Sequence, residues 1–218
     1  IAAANRDRSA EDAALLLVDG VHGLGVEDET VAGTGCDFFV AGTHKWIFGP
    51  RGTGIVWGRP QAWAAVQPTV PAFEMPPFEA WLDGRSAGPT RAAWMSPGGF
   101  HAYEHLWALP AAFAFHARIG RARVAGRIHE LNAQLKDGLS GMRHVRVLTP
   151  RDPALSAGLV AFELAGRTGE DVVKELHRRK VVASTSPYKP SLPRLAGSLL
   201  NTPAEVEQAL RAVRALAA

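Results

Sequence analysis

Two short apolar runs, Leu15 to Asp19 and Asp37 to Ala41, each followed by a glycine, constrain this chain more than any other feature. Each is too short for a helix and lacks the alternation of a half-exposed strand, so each predicts a strand buried on both faces. Gly-rich segments follow both, GVHGLG after Asp19 and, beyond Gly42, GPRGTG. Strands with a turn-rich connection between them and glycines past their ends fit an open α/β sheet whose strand ends build a site. Functional residues are therefore expected at 19–25 and 42–54. The run Gly54 to Trp57 reads as a third strand that returns close to the second.

Between Pro60 and Gly99 six further prolines, Pro68, Pro71, Pro76, Pro77, Pro89 and Pro97, break any long element, while Trp63, Phe73, Phe78, Trp81 and Trp94 supply rings that can pin the segment to a surface. Residues 101–117 and 121–141 carry helical periodicity, interrupted near Gly120. After Pro150 the pattern becomes strand (158–164), helix (170–179), strand (181–185), strand (195–200) and helix (204–216), a small α+β unit. Thr202, Pro203 and Glu205 spell the start of that last helix, with a carboxylate placed for a capping box. The expected division is residues 1–120 and 121–218, with 121–142 as a connecting helix.

Composition excludes several classes. Hydrophobic residues at 47% and charged residues at 21% are those of a folded globular chain. The net charge of +3 comes from scattered basic residues, and Glu130 and Asp137 interrupt the arginines at 118, 121, 123 and 127, so nucleic acid is not the expected partner. No stretch approaches the roughly 20 apolar residues of a membrane span, and a single cysteine rules out an internal disulfide framework. The start, IAAANRDRSAED, has neither a secretory signal pattern nor an initiator methionine; the reading is a cytoplasmic protein whose chain begins mid-protein. Neither G-x-G-x-x-G nor G-K-[ST] occurs in the glycine segments, which leaves nucleotide binding without support.

The strongest chemical constellation is Asp19 at one strand end and His44-Lys45 just past the next. A lysine there either reaches out to solvent or is used as a neutral amine by a partner. Pyridoxal phosphate chemistry needs both a reactive lysine, to form a Schiff base, and a separate carboxylate, to hold the pyridine nitrogen protonated. Spacing alone leaves open that Asp19 caps a turn and Lys45 is solvated.

The words LLLVDGVHGLG and DFFVAGTHKWIFGPRGTGIVWGR resemble those of the class V aminotransferase family of fold-type I pyridoxal phosphate enzymes, which includes cysteine desulfurases, isopenicillin N epimerase-like proteins and kynureninases. RLAGSLLNTPAEVEQAL looks like that family's closing strand, Asn-Thr turn and last helix. The resemblance implies an α/β fold in which 1–120 is the later portion of the cofactor-binding large domain and 121–218 is the small C-terminal domain. It implies Lys45 as the Schiff-base lysine and Asp19 as the pyridine-nitrogen partner. It also implies His22 as a contact to the cofactor's phenolic oxygen and His44 as a contact to its phosphate. Ser96 would touch the phosphate of a neighbouring subunit, which implies a homodimer with shared sites, and Arg194 would take the α-carboxylate of an amino-acid substrate.

Within the family, WMSPGGFHAYEHLWALPAAFAFH and STSPYKPSLPRLAGSLLNTPAEVE are similar to the hercynylcysteine sulfoxide lyases of ergothioneine biosynthesis. The implied activity is carbon–sulfur cleavage of a small sulfur-containing amino acid, releasing pyruvate and ammonia. The runner-up is an isopenicillin N epimerase-like reaction, in which the same lysine returns the proton. The segment VVASTSPYKPSL lacks the cysteine that desulfurases carry there, and Cys36, ahead of the second strand, reads as a buried structural thiol. The family's residues ahead of the VDG word are missing from this chain, so a reading of another class stands beside these: a remnant or assembly module that does not catalyse. One chemical rival is His101-Ala-Tyr-Glu104-His105, the H-x-x-E-H spacing that would set two histidines on one helical face for zinc; the same pair could instead line a substrate entrance against Trp94 or Tyr103.

Overall fold

The computed structural model describes residues 1, 3–9 and 12–217. The chain forms two compact units, one of Ile1–Leu24 and Glu29–Phe115, the other of Gly25–Asp28 and His116–Ala218.

The first unit is built on three strands, β1 (Leu17–Asp19), β2 (Phe38–Gly42) and β3 (Gly54–Gly58), in the order β1-β2-β3. β1 runs parallel to β2 in register Leu17↔Phe38, Val18↔Phe39, Asp19↔Val40, whereas β3 is antiparallel to β2. The apolar run of β2 is covered on both faces: Phe38 packs edge-on against Trp63 with ring centroids 5.1 Å apart, and Phe39 joins Cys36 and Ala41 in a separate cluster. β1 departs from expectation. Leu17 is 59% exposed, because β1 is the outer strand of the sheet and only one of its edges is paired among the described residues. The Pro-rich stretch holds one short helix, α1 (Pro77–Leu82), and 3-10 turns at Ala62–Ala65 and Ala92–Met95. Trp63 and Trp94 anchor it, while Phe73 and Trp81 stay exposed.

Helix α2 (Tyr103–Ile119) carries the boundary between the units. His101 precedes its first turn, so H-x-x-E-H does not put two histidines on one helical face. No group of three or more His, Cys, Asp or Glu side chains is gathered for a metal among the described residues. His101 instead lies edge-on to Tyr103, and Tyr103 stacks on Trp107.

The second unit packs α3 (Arg121–Ser140), α4 (Gly169–Arg178) and α5 (Pro203–Arg214) with a four-stranded sheet of β4 (Val145–Val147), β5 (Val160–Leu164), β6 (Ser184–Thr185) and β7 (Pro193–Leu195), in the order β4-β5-β7-β6. Its core joins Leu131, Leu135 and Leu139 of α3 to Phe162 of β5, Val172 and Leu176 of α4 and Leu210 and Val213 of α5. The segment 25–28 is tied to α3 by Glu27 to His129 at 2.9 Å and Asp28 to Arg121 at 3.3 Å. Two of the expected strands are shorter than read. The chain needs residues 180–183 to leave α4: Lys180 turns through φ 62 and Val181 N–H bonds the Leu176 carbonyl, so β6 begins only at Ser184. The strand read at 195–200 lies instead at Pro193–Leu195, because the Asn201 carboxamide oxygen accepts from Ser198 N–H at 3.0 Å and folds the following stretch into a turn.

That turn delivers Thr202 as the cap of α5. Its hydroxyl accepts from Glu205 N–H at 3.3 Å while the Glu205 carboxylate accepts from Thr202 N–H at 2.7 Å, a complete capping box. The Thr202 backbone bond and then the Thr202 hydroxyl hold the Glu205 carboxyl below the ordinary glutamate value. A lowered folded pKa contributes stability above the unfolded value and loses it as pH falls through the folded one. Thr202→Ala is therefore expected to cost about 1 kcal/mol in urea unfolding at neutral pH, with a smaller difference from the native chain in acid. No helix among the described residues is long and apolar enough to cross a membrane.

Candidate active site

The site is assembled at one end of the parallel pair. Because β1 and β2 run in the same direction, their C-terminal ends lie side by side, and the residues that follow Asp19 and Gly42 share one edge of the sheet. Gly20 makes the turn out of β1: its N–H bonds the Val40 carbonyl at 2.8 Å, and a Cβ there would stand 1.9 Å from the Phe39 ring. Asp19 is exposed, and its Oδ1 accepts from Val21 N–H at 3.1 Å. The carboxylate thus does cap a turn, and it does so at the sheet end where the functional reading needs it.

The loop after β2 is closed at its neck. Thr43 N–H bonds the Thr53 carbonyl at 3.1 Å and Gly49 N–H the Thr43 carbonyl at 2.9 Å. Inside, the buried Thr43 and Thr53 hydroxyls meet at 2.6 Å, and the Thr53 hydroxyl donates to the Pro50 carbonyl. A donor can serve only one strong acceptor here, so Thr43 donates to Thr53, giving a continuous hydroxyl relay that holds the loop shut. Trp46 and Ile47 turn inward, at 7% and 4% exposure, while His44 and Lys45 turn out. Gly42 leaves room for the His44 ring, since a Cβ there would lie 2.9 Å from its Cε1.

The two loops meet through His22. Its Nε2 stands 3.4 Å from Lys45 Nζ, and its Nδ1 accepts from the Trp46 indole N–H at 3.2 Å. Of the residues read from sequence, the structure brings His22 and Lys45 into contact and sets Asp19 and His44 on the same sheet edge. Ser96, just past the Trp94 turn, is exposed and makes no hydrogen bond to these four among the described residues. Arg194 belongs to the second unit, on β7 between Ala161 and Ser184; Nη2 donates to Ser184 Oγ at 3.2 Å, and Nε is buried without a hydrogen-bond partner among the described residues. Reading the sequence missed Thr43, Trp46 and Thr53 as parts of the site. Trp46 had a signal, a large donor-bearing ring directly after the lysine. The threonines had none, since ten residues separate partners that meet only when the loop closes.

A primary amine, a carboxylate and two imidazoles at one sheet end form a donor set that fits an aldehyde-bearing pyridine phosphate: amine for aldehyde, carboxylate for ring nitrogen, imidazoles for anionic oxygens.

Comparison with known proteins identifies the family. The profile of the family described as aminotransferase class-V matches residues 6–195. Isopenicillin N epimerase of Amycolatopsis lactamdurans is 31% identical over 211 residues, covering 93% of this chain and 52% of that protein. A cysteine desulfurase of Klebsiella pneumoniae is 26% identical over 205 residues, covering 89% and 49%. Among solved structures, apo cysteine desulfurase from Thermococcus onnurineus superimposes with a TM-score of 0.78 at 22% identity, covering 93% of this chain and 52% of that one. The cystine C-S lyase C-DES, in complex with cysteine persulfide, gives 0.74 at 23%, covering 91% and 51%. The chain spans about half the length of the relatives it matches. It has the fold-type I architecture, and it belongs to the class V aminotransferase family of pyridoxal phosphate enzymes.

Proposed function

We propose that this chain carries the lysine-bearing part of a pyridoxal phosphate-dependent carbon–sulfur lyase, similar to the hercynylcysteine sulfoxide lyases, that acts by β-elimination on a cysteine conjugate or its sulfoxide. The observation that carries the reading is the contact of Lys45 Nζ with His22 at the sheet end that also holds Asp19. Lys45 is the residue to bind the cofactor aldehyde, Asp19 to pair with its ring nitrogen, His22 to face its phenolic oxygen and His44 its phosphate. When bound, pyridoxal phosphate supplies an aldehyde that condenses with amines and a ring that draws electrons from the substrate α-carbon. Displaced from the aldehyde by the substrate's amino group, Lys45 Nζ would be free to take the α-proton, while the Cβ–S bond breaks and its electron pair leaves with the sulfur group; water then hydrolyses the remainder to pyruvate and ammonia. Arg194, whose Nε is buried with no hydrogen-bond partner among the described residues, is the cation proposed for the substrate carboxylate. Ser96 is proposed to reach the phosphate in a second copy of the protein, making the enzyme a homodimer.

Elimination is preferred over a persulfide reaction because the one thiol, Cys36, is fully buried with its Sγ turned to the Val31 carbonyl. The 31% identity to isopenicillin N epimerase supports a second reading, in which Lys45 returns the proton to the α-carbon and no bond to sulfur breaks.

Incubation with pyridoxal phosphate, borohydride reduction and peptide mapping test the cofactor assignment: the expected result is a pyridoxyl group confined to Lys45. Cysteine sulfoxide conjugates should then release pyruvate and ammonia, whereas inversion at the α-carbon without pyruvate would favour the epimerase. A chain that takes no pyridoxyl group would favour the assembly-module reading.

A further inference from the structure

We propose that Trp46 is a positioning residue that fixes the ring proton of His22 on Nε2 and so presents an N–H to the amine of Lys45. The inference rests on the reading of Lys45 as the cofactor-binding amine. An indole nitrogen can only donate. The Trp46 indole bonds His22 Nδ1 at 3.2 Å, so Nδ1 must accept. A neutral imidazole carries one ring proton, and with Nδ1 accepting that proton sits on Nε2. This is the nitrogen 3.4 Å from Lys45 Nζ.

The chain of bonds then has one direction, Trp46 N–H to His22 Nδ1, and His22 Nε2–H to the lone pair of Lys45 Nζ. An ammonium at position 45 would set donor against donor; the amine completes the chain, and the amine is the form that attacks a carbonyl carbon. A doubly protonated His22 would likewise turn an N–H toward the indole N–H. Trp46 can impose this because it is the rigid member. It is 7% exposed, beside buried Ile47, in a loop closed by the Thr43–Thr53 neck, and its ring meets that of His22 edge-on at 76°. Buried in this way, it acts through His22 rather than on a bound molecule.

Nitrogen-15 NMR of the histidine-labelled 218-residue chain without cofactor, at a pH where His22 is neutral, tests the proposal, with His22→Asn identifying the resonances among the 8 histidines. The native chain is expected to show a pyridine-type Nδ1 and a pyrrole-type Nε2 for His22. Trp46→Phe should move both toward the average of two tautomers, and Lys45→Ala, which keeps the indole bond, should leave them in place. A proton on Nδ1 in the native chain, an unmoved tautomer in Trp46→Phe, or a tautomer lost in Lys45→Ala would each overturn the proposal. If Trp46→Phe does not fold by circular dichroism, the native and Lys45→Ala spectra still decide it. As a second readout, the rate of reductive pyridoxylation at Lys45 should fall about tenfold in Trp46→Phe, the upper range for loss of one hydrogen bond. A native chain that takes no pyridoxyl group at Lys45 would sink the cofactor reading while the nitrogen spectra still settle where the proton lies.

Discussion

Lys45→Ala is expected to abolish pyridoxyl labelling of the chain and to lower β-elimination turnover by about 10²–10⁴-fold, the loss of a positioned proton carrier, with the lost covalent attachment in addition. Lys45 is the sole lysine in the sequence of the first unit, the other four, at 136, 174, 180 and 189, belonging to the second. The side chain is exposed and its bond is to His22, so thermal unfolding should shift by no more than a surface substitution does, about 0.5 kcal/mol. Lys45→Arg should fail equally, because a guanidinium keeps the charge but offers no amine. Single-turnover release of pyruvate, with mass spectrometry of the borohydride-treated chain, makes the measurement. Turnover retained in Lys45→Ala would end the lyase and the epimerase readings together.

Phe162→Ala carries the largest expected effect on stability, about 3–5 kcal/mol. Phe162 is 0% exposed on β5, the strand that joins β4 to β7, and it sits in a cluster shared by α3, α4 and α5. Removing the ring leaves a void lined by side chains from helices on a sheet that cannot all close in on it. In urea the midpoint should drop with little change in slope, as expected of a stability loss without a change in the surface exposed on unfolding. Phe100, fully exposed, is the control: Phe100→Ala should change the midpoint by no more than about 0.5 kcal/mol. A midpoint in Phe162→Ala equal to that of the control would mean that this cluster does not hold the second unit together.

How much of this was legible beforehand depends on how local the signal is. β2 and the capping box of α5 were readable, since an apolar run and a Thr-Pro-Ala-Glu start encode themselves. The same logic misjudged β1, because an apolar run states that a strand wants covering and not where in the sheet it lies. β4 was invisible at three residues, and the ends of 181–185 and 195–200 were set by a left-handed Lys180 and by the Asn201 side chain. At the site, Asp19, His44 and Lys45 could be placed by the ends of their strands. The His22–Trp46 bond could not, since it spans two loops that adjoin only after β1 and β2 pair in parallel. The H-x-x-E-H rival needed a helix already running at His101, and the helix starts two residues later.

The Phe39 ring occupies the space that any side chain at position 20 would need. Positions 20 and 39 therefore form one unit of variation. A larger residue at 20 must displace the Phe39 ring or meet a smaller side chain at 39, and either change disturbs the cluster around Cys36 and Ala41. The corner on which Asp19 is mounted is thus constrained from beneath by packing, apart from anything the carboxylate does.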